Sequence, residues 1–72
     1  MGLPLISGRE CIAALAKIGY MVVRQKGSHV RLACAGRSPV TVPMHDERDR
    51  GTLRAILRAA RVPHDEFVML LG

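Results

Sequence analysis

Apolar residues recur at spacings of three and four from Cys11 through Ile12, Leu15 and Ile18, the period of a helix with one buried face. Just ahead lies Ser7-Gly8-Arg9-Glu10, a hydroxyl three residues before a glutamate, so that each side chain can satisfy a backbone N–H of the other. Gly19 follows the run as a left-handed helix stop. After it the period shortens. Residues 20–25 are rich in β-branched side chains and read as a strand, in which Met21/Val23 and Tyr20/Val22 both qualify as the buried set. Lys26-Gly27-Ser28 makes a short turn, and residues 29–33 alternate, with Val30 and Leu32 on one face and His29 and Arg31 on the other. The loop Ala35-Gly36-Arg37-Ser38 leads into residues 39–43, with Val40 and Val42 inward and Thr41 outward.

A polar run from His45 to Arg50 leads into a second helix, with Asp49 as its candidate N-cap. Leu53, Ile56, Leu57 and Ala60 form its apolar stripe; Arg54, Arg58 and Arg61 line a separate face. Pro63 suits the first turn of a last short helix, Asp65 and Glu66 sit near its positive end, and Phe67, Leu70 and Leu71 close the core. Residues 1–6 read as a leader of little structure. The pattern predicts one α+β domain over residues 1–72, α-β-β-β-α plus a terminal helical turn. Short links between the strands imply a three-stranded antiparallel sheet with helices packed on one face.

Composition narrows the partners. The 72 residues hold one Tyr, one Phe and no Trp, so the core is aliphatic and a single-strand binder built on aromatic stacking is disfavoured. Eleven Lys and Arg against six Asp and Glu give a net charge of +5. No acid falls between Glu10 and Asp46, a stretch holding Lys17, Arg24, Lys26, Arg31 and Arg37; a second acid-free run carries Arg50, Arg54, Arg58 and Arg61. Two such runs point to an anionic partner. Cys11 and Cys34 lack the spacing of a metal site or a disulfide framework and read as packing residues. Nothing resembles a secretory signal or an 18-residue apolar span, so the expectation is a cytoplasmic protein without a membrane partner.

The sharpest local chemistry lies in Gln25-Lys26-Gly27-Ser28-His29. Imidazole exchanges protons near neutral pH, and His29 stands among Arg24, Lys26 and Arg31. RNA cleavage needs a proton taken from a 2′-hydroxyl, one given to the leaving 5′-oxygen, and positive charge near the pentavalent phosphorus. Lys26 and Ser28 are candidate phosphate and ribose contacts, and Gly27 a site of positive φ or close backbone approach. His64, beside Asp65, reads as structural.

These segments, in order, resemble the HicA family of bacterial toxin endoribonucleases. The likeness runs through Ser7-Gly8-Arg9-Glu10, Gly19-Tyr20, Arg24-Gln25-Lys26-Gly27-Ser28-His29, Val40-Thr41-Val42-Pro43-Met44-His45, Gly51-Thr52-Leu53-Arg54, Ile56-Leu57-Arg58 and Glu66-Phe67. It implies a fold like a double-stranded-RNA-binding domain and metal-independent, cofactor-free mRNA cleavage with His29 as the catalytic residue. Arg24, Lys26, Gly27, Ser28 and Arg31 would then bind RNA. It also implies a protein partner, a HicB-type antitoxin normally encoded beside the toxin, for which covering His29 is the simplest inhibitory geometry. His45 keeps two readings: a second proton carrier, or a polar residue pinning the loop after the third strand. The alternative function is an RNA-binding domain of the same fold without chemistry.

Overall fold

The computed structural model describes residues 2–44 and 50–72. Elements follow in the order α1 (Gly8–Ala16), β1 (Met21–Lys26), β2 (His29–Cys34), β3 (Arg37–Pro43), α2 (Arg50–Ala60) and α3 (His64–Leu71). The three strands form one antiparallel sheet in the order β1-β2-β3, and the helices lie over one face of it, α2 and α1 both packing on β3. This is the predicted α-β-β-β-α order, closed by α3 against α1. No helix among the described residues is long and apolar enough to cross a membrane.

Local chemistry starts and stops the helices as read from the chain. The Glu10 N–H donates to Ser7 Oγ at 3.2 Å and the Ser7 N–H to Glu10 Oε1 at 3.1 Å, a capping box worth about 1 kcal/mol. At the other end of α1 the Tyr20 N–H reaches the Leu15 carbonyl and the Gly19 N–H the Ala16 carbonyl. Gly19 supplies the left-handed residue with φ 107°. The stop of α2 repeats that motif with a different residue. The Val62 and Arg61 N–H groups bond the Leu57 and Arg58 carbonyls, but the left-handed position is filled by Arg61 at φ 58°. A side chain with a Cβ costs about 1 kcal/mol there. Pro63, expected inside the first turn of α3, is its N-cap, with φ −61° and ψ 149°. The candidate N-cap Asp49 lies outside the described residues.

The core is apolar throughout, with no buried polar or charged side chain among the described residues. Leu15 and Cys11 from α1 meet Val30, Leu32, Val40 and Val42 from the sheet, Leu53, Leu57 and Ala60 from α2, and Phe67 from α3. Both alternation patterns hold: Val30/Leu32 and Val40/Val42 are buried. Polar bonds tie the ends of the elements together. Tyr20 Oη donates to the Ser38 carbonyl at 2.7 Å, Arg37 to the last carbonyl of α2 at Ala60 (2.9 Å), and Lys17 Nζ to the Leu70 carbonyl of α3 (2.6 Å). Each cation so placed also faces the negative end of a helix.

Three further expectations are corrected. Residues 2–6 carry no helix or strand, yet they are more than a leader: Leu3 is in the core and its carbonyl accepts from Arg50 Nε at 2.7 Å. In β1 neither candidate set is buried. Met21, Val22 and Val23 are 70%, 53% and 59% exposed, because the helices cover β2 and β3 and leave β1 as an uncovered edge; only Tyr20, just before it, is inside. The first hairpin turn is also shorter than read. Lys26 pairs with His29, leaving Gly27-Ser28 as a two-residue loop. Gly27 has φ 59° and Ser28 does not share its sign, the dihedral signature of a type II′ hairpin turn.

Candidate nucleic-acid interface

That turn sets which side chains meet. With Lys26 opposite His29, Gln25 faces Val30 and Arg24 faces Arg31. Alternation then divides the residues between the faces. Val30 goes into the core, while Lys26, His29, Arg24 and Arg31 share the outer face, away from the helices. On β3 the same two rungs end in Pro43, opposite His29, and Thr41, opposite Arg31. Two adjacent rungs thus read Lys26–His29–Pro43 and Arg24–Arg31–Thr41.

Directly opposed side chains lie about 5 Å apart at Cβ, and like charges so placed repel. Arg24 and Arg31 are such a pair, and Lys26 is two residues from Arg24 on the same face. One relief is internal: Arg31 Nη1 donates to Thr41 Oγ1 at 2.9 Å, drawing that guanidinium toward β3. An anion lying across the rungs would relieve the rest. His29 itself is exposed, at the first position of β2.

The turn beside His29 is braced from two sides. Gln25 Nε2 donates to the Gly27 carbonyl at 3.2 Å, and the Met44 N–H donates to the Ser28 carbonyl at 2.6 Å. Met44 and Pro43 are in turn backed by the start of α1. A Cβ added at Gly8 would stand 2.5 Å from the Pro43 carbonyl oxygen and 3.2 Å from Met44 Cα. The start of α1 therefore presses on the strand end that holds Ser28 and His29 in place. Sequence reading placed Gly8 only within the capping box; its close approach is a tertiary contact that the local pattern does not signal.

Gly8→Ala is accordingly expected to destabilise the domain. Alanine gains up to about 1 kcal/mol of helix propensity, but the nearest atom it meets, the Pro43 carbonyl oxygen, is backbone and cannot swing aside. Overpacking of this kind costs about 1–3 kcal/mol, so a net loss of about 1–2 kcal/mol should appear in urea unfolding. The amide resonances of Ser28 and His29 should shift with it. Unchanged resonances there would show that α1 does not position the turn.

Of the residues singled out from the chain, Arg24, Lys26, Gly27, Ser28, His29 and Arg31 come together at one end of the outer sheet face. His45 lies outside the described residues. His64 is exposed at the first position of α3, and it lines the groove along α2 with Arg54, Arg58 and Arg61. Neither cysteine joins the face. Cys11 is buried, which pushes its thiol up to about 11 and keeps it protonated. Cys34 lies with Sγ 3.6 Å from the Ile18 carbonyl oxygen. Burial likewise raises the Tyr20 phenol above its ordinary range, consistent with a hydroxyl that donates to Ser38. Among the described residues, no three His, Cys, Asp or Glu side chains gather as a metal-holding group.

Comparison with known proteins adds a family. No curated protein matches the chain. A family model described as the HicA toxin of bacterial toxin-antitoxin matches residues 8–62, from the start of α1 to the stop of α2.

Proposed function

Since the chain belongs to the HicA toxin family, and is therefore a toxin with a cognate antitoxin, we propose that it acts as an mRNA endoribonuclease working from the outer sheet face. The observation that carries this reading is the pair of cationic rungs: an exposed imidazole in one, two opposed arginines in the next, and Lys26 between His29 and the sheet edge.

In this reading the arginines and Lys26 grip the ribose-phosphate chain and hold positive charge where negative charge develops on the phosphorus oxygens. His29 takes the proton from the 2′-hydroxyl, whose oxygen attacks the adjacent phosphorus. The P–O5′ bond breaks, leaving a 2′,3′-cyclic phosphate and a 5′-hydroxyl once the leaving oxygen is protonated. Gly27 and Ser28 let the backbone come close to the chain. With both Tyr20 and Phe67 buried and no tryptophan in the chain, recognition rests on shape and phosphate rather than on stacking against large aromatic rings. The antitoxin would silence the site most simply by covering His29.

The test uses purified protein and a labelled RNA in chelator. RNA should be cut, the new ends should be a cyclic phosphate and a 5′-hydroxyl, and a substrate with a single 2′-deoxy sugar at the cut position should survive. Binding without cutting, falling steeply with salt, would select the non-catalytic RNA-binding alternative instead.

A further inference from the structure

A second cationic surface plays no part in that reading. Arg54 and Arg58 lie one turn apart on α2, Arg61 follows at its stop, and all three are exposed. Together with His64 they rim an open groove floored by Leu57 and Pro63. Like charges one turn apart repel, and none of the three arginines is ion-paired to an acid among the described residues. Arg61 is stranger still. It is the only non-glycine residue with positive φ among the described residues, and the same cap on α1 uses Gly19. The α2 cap thus gains nothing from the arginine side chain that glycine would not give more easily.

The groove is remote from His29. Its Arg61 side adjoins Arg37, which pairs with Cys34, five residues along β2 from the His29 rung. That is about 17 Å at 3.3–3.4 Å per residue. It also belongs to the helix layer, whereas His29 lies on the outer sheet face, so a phosphate held between Arg24 and Arg31 is out of its reach. A row of arginine forks beside an apolar floor suits carboxylates flanking an apolar side chain, each guanidinium able to take a carboxylate in two parallel bonds.

We infer that the Arg54–Arg58–Arg61 groove is a docking site for an acidic segment of the cognate antitoxin, separate from the His29 face. The inference rests on membership in a toxin–antitoxin family and not on the nuclease reading. An antitoxin seated there is anchored whether or not RNA occupies the sheet.

The test is calorimetric titration of the intact toxin with its full-length cognate antitoxin, for wild type, Arg58→Glu and Arg61→Gly. Arg61→Gly should raise Tm by about 4 °C and yet weaken antitoxin binding by about tenfold, two changes of opposite sense that misfolding cannot produce. Arg58→Glu should weaken it by about tenfold or more, and both variants should bind a labelled RNA oligonucleotide as wild type does. Antitoxin affinity unchanged in both variants overturns the inference. So does a loss confined to RNA affinity, which would assign the groove to nucleic acid. Failure of the nuclease reading would appear separately, in the cleavage assay, with the titration unaffected.

Discussion

Changing His29 to alanine is expected to slow RNA cleavage by about 10²–10⁴-fold, the range that a positioned proton-transfer group contributes, while RNA affinity stays within about twofold. In the proposed reading the two quantities separate because different residues carry them: grip comes from Arg24, Lys26 and Arg31, which share the outer face with His29, and the imidazole adds the proton transfer. His29 is exposed at the first position of the central strand, and urea unfolding of the variant separates any change in stability from the loss of cleavage. Single-turnover cleavage and anisotropy on the same labelled RNA read both quantities. Arg24→Ala or Arg31→Ala should give the converse: weaker binding, and a salt slope shallower by about 0.7 for each phosphate of single-stranded RNA that the variant leaves without a cation. Full cleavage by the His29→Ala protein would remove this residue from the chemistry.

Local signals carried far in this chain, and they failed where tertiary structure decides. The capping box, the Gly19 stop, the alternation in β2 and β3 and the α2 stripe are all set by neighbours within four residues, and each appears in the structure. The face of β1 was undecidable because its question had no answer in burial. The helices stop over β2 and β3, a bulge between Val22 and Arg24 interrupts the alternation, and none of the six residues is buried. The turn length hid the most useful fact about the site. Reading Lys26-Gly27-Ser28 as a three-residue turn sets Gln25 opposite His29; the two-residue turn, fixed by the positive φ of Gly27, sets Lys26 there and Arg24 against Arg31. A one-residue change in register moves every side chain of a strand to the other face. The six residues gathered from the chain as a site therefore share a surface only in the shorter reading.

Phe67→Ala is expected to cost about 3–5 kcal/mol, a large part of the roughly 4–11 kcal/mol that 72 residues ordinarily provide. The ring is the largest fully buried side chain, at 0% exposure, and the chain holds no other phenylalanine and no tryptophan. It belongs to the one core cluster that joins α1, the sheet, α2 and α3, and α3 packs on α1, where Lys17 ties the Leu70 carbonyl. Phe67 also lies beyond residue 62, where the family match ends, just as Leu3 lies before its start at residue 8. The matched segment alone thus lacks two members of its own core, one from each flank. Urea unfolding of the Phe67→Ala protein should show one cooperative transition at a much lower midpoint, with the sheet and α2 lost together with α3. A separate early loss of α3, followed by a main transition at the wild-type midpoint, would mean that α3 is an appendage and that residues 8–62 hold the fold without it.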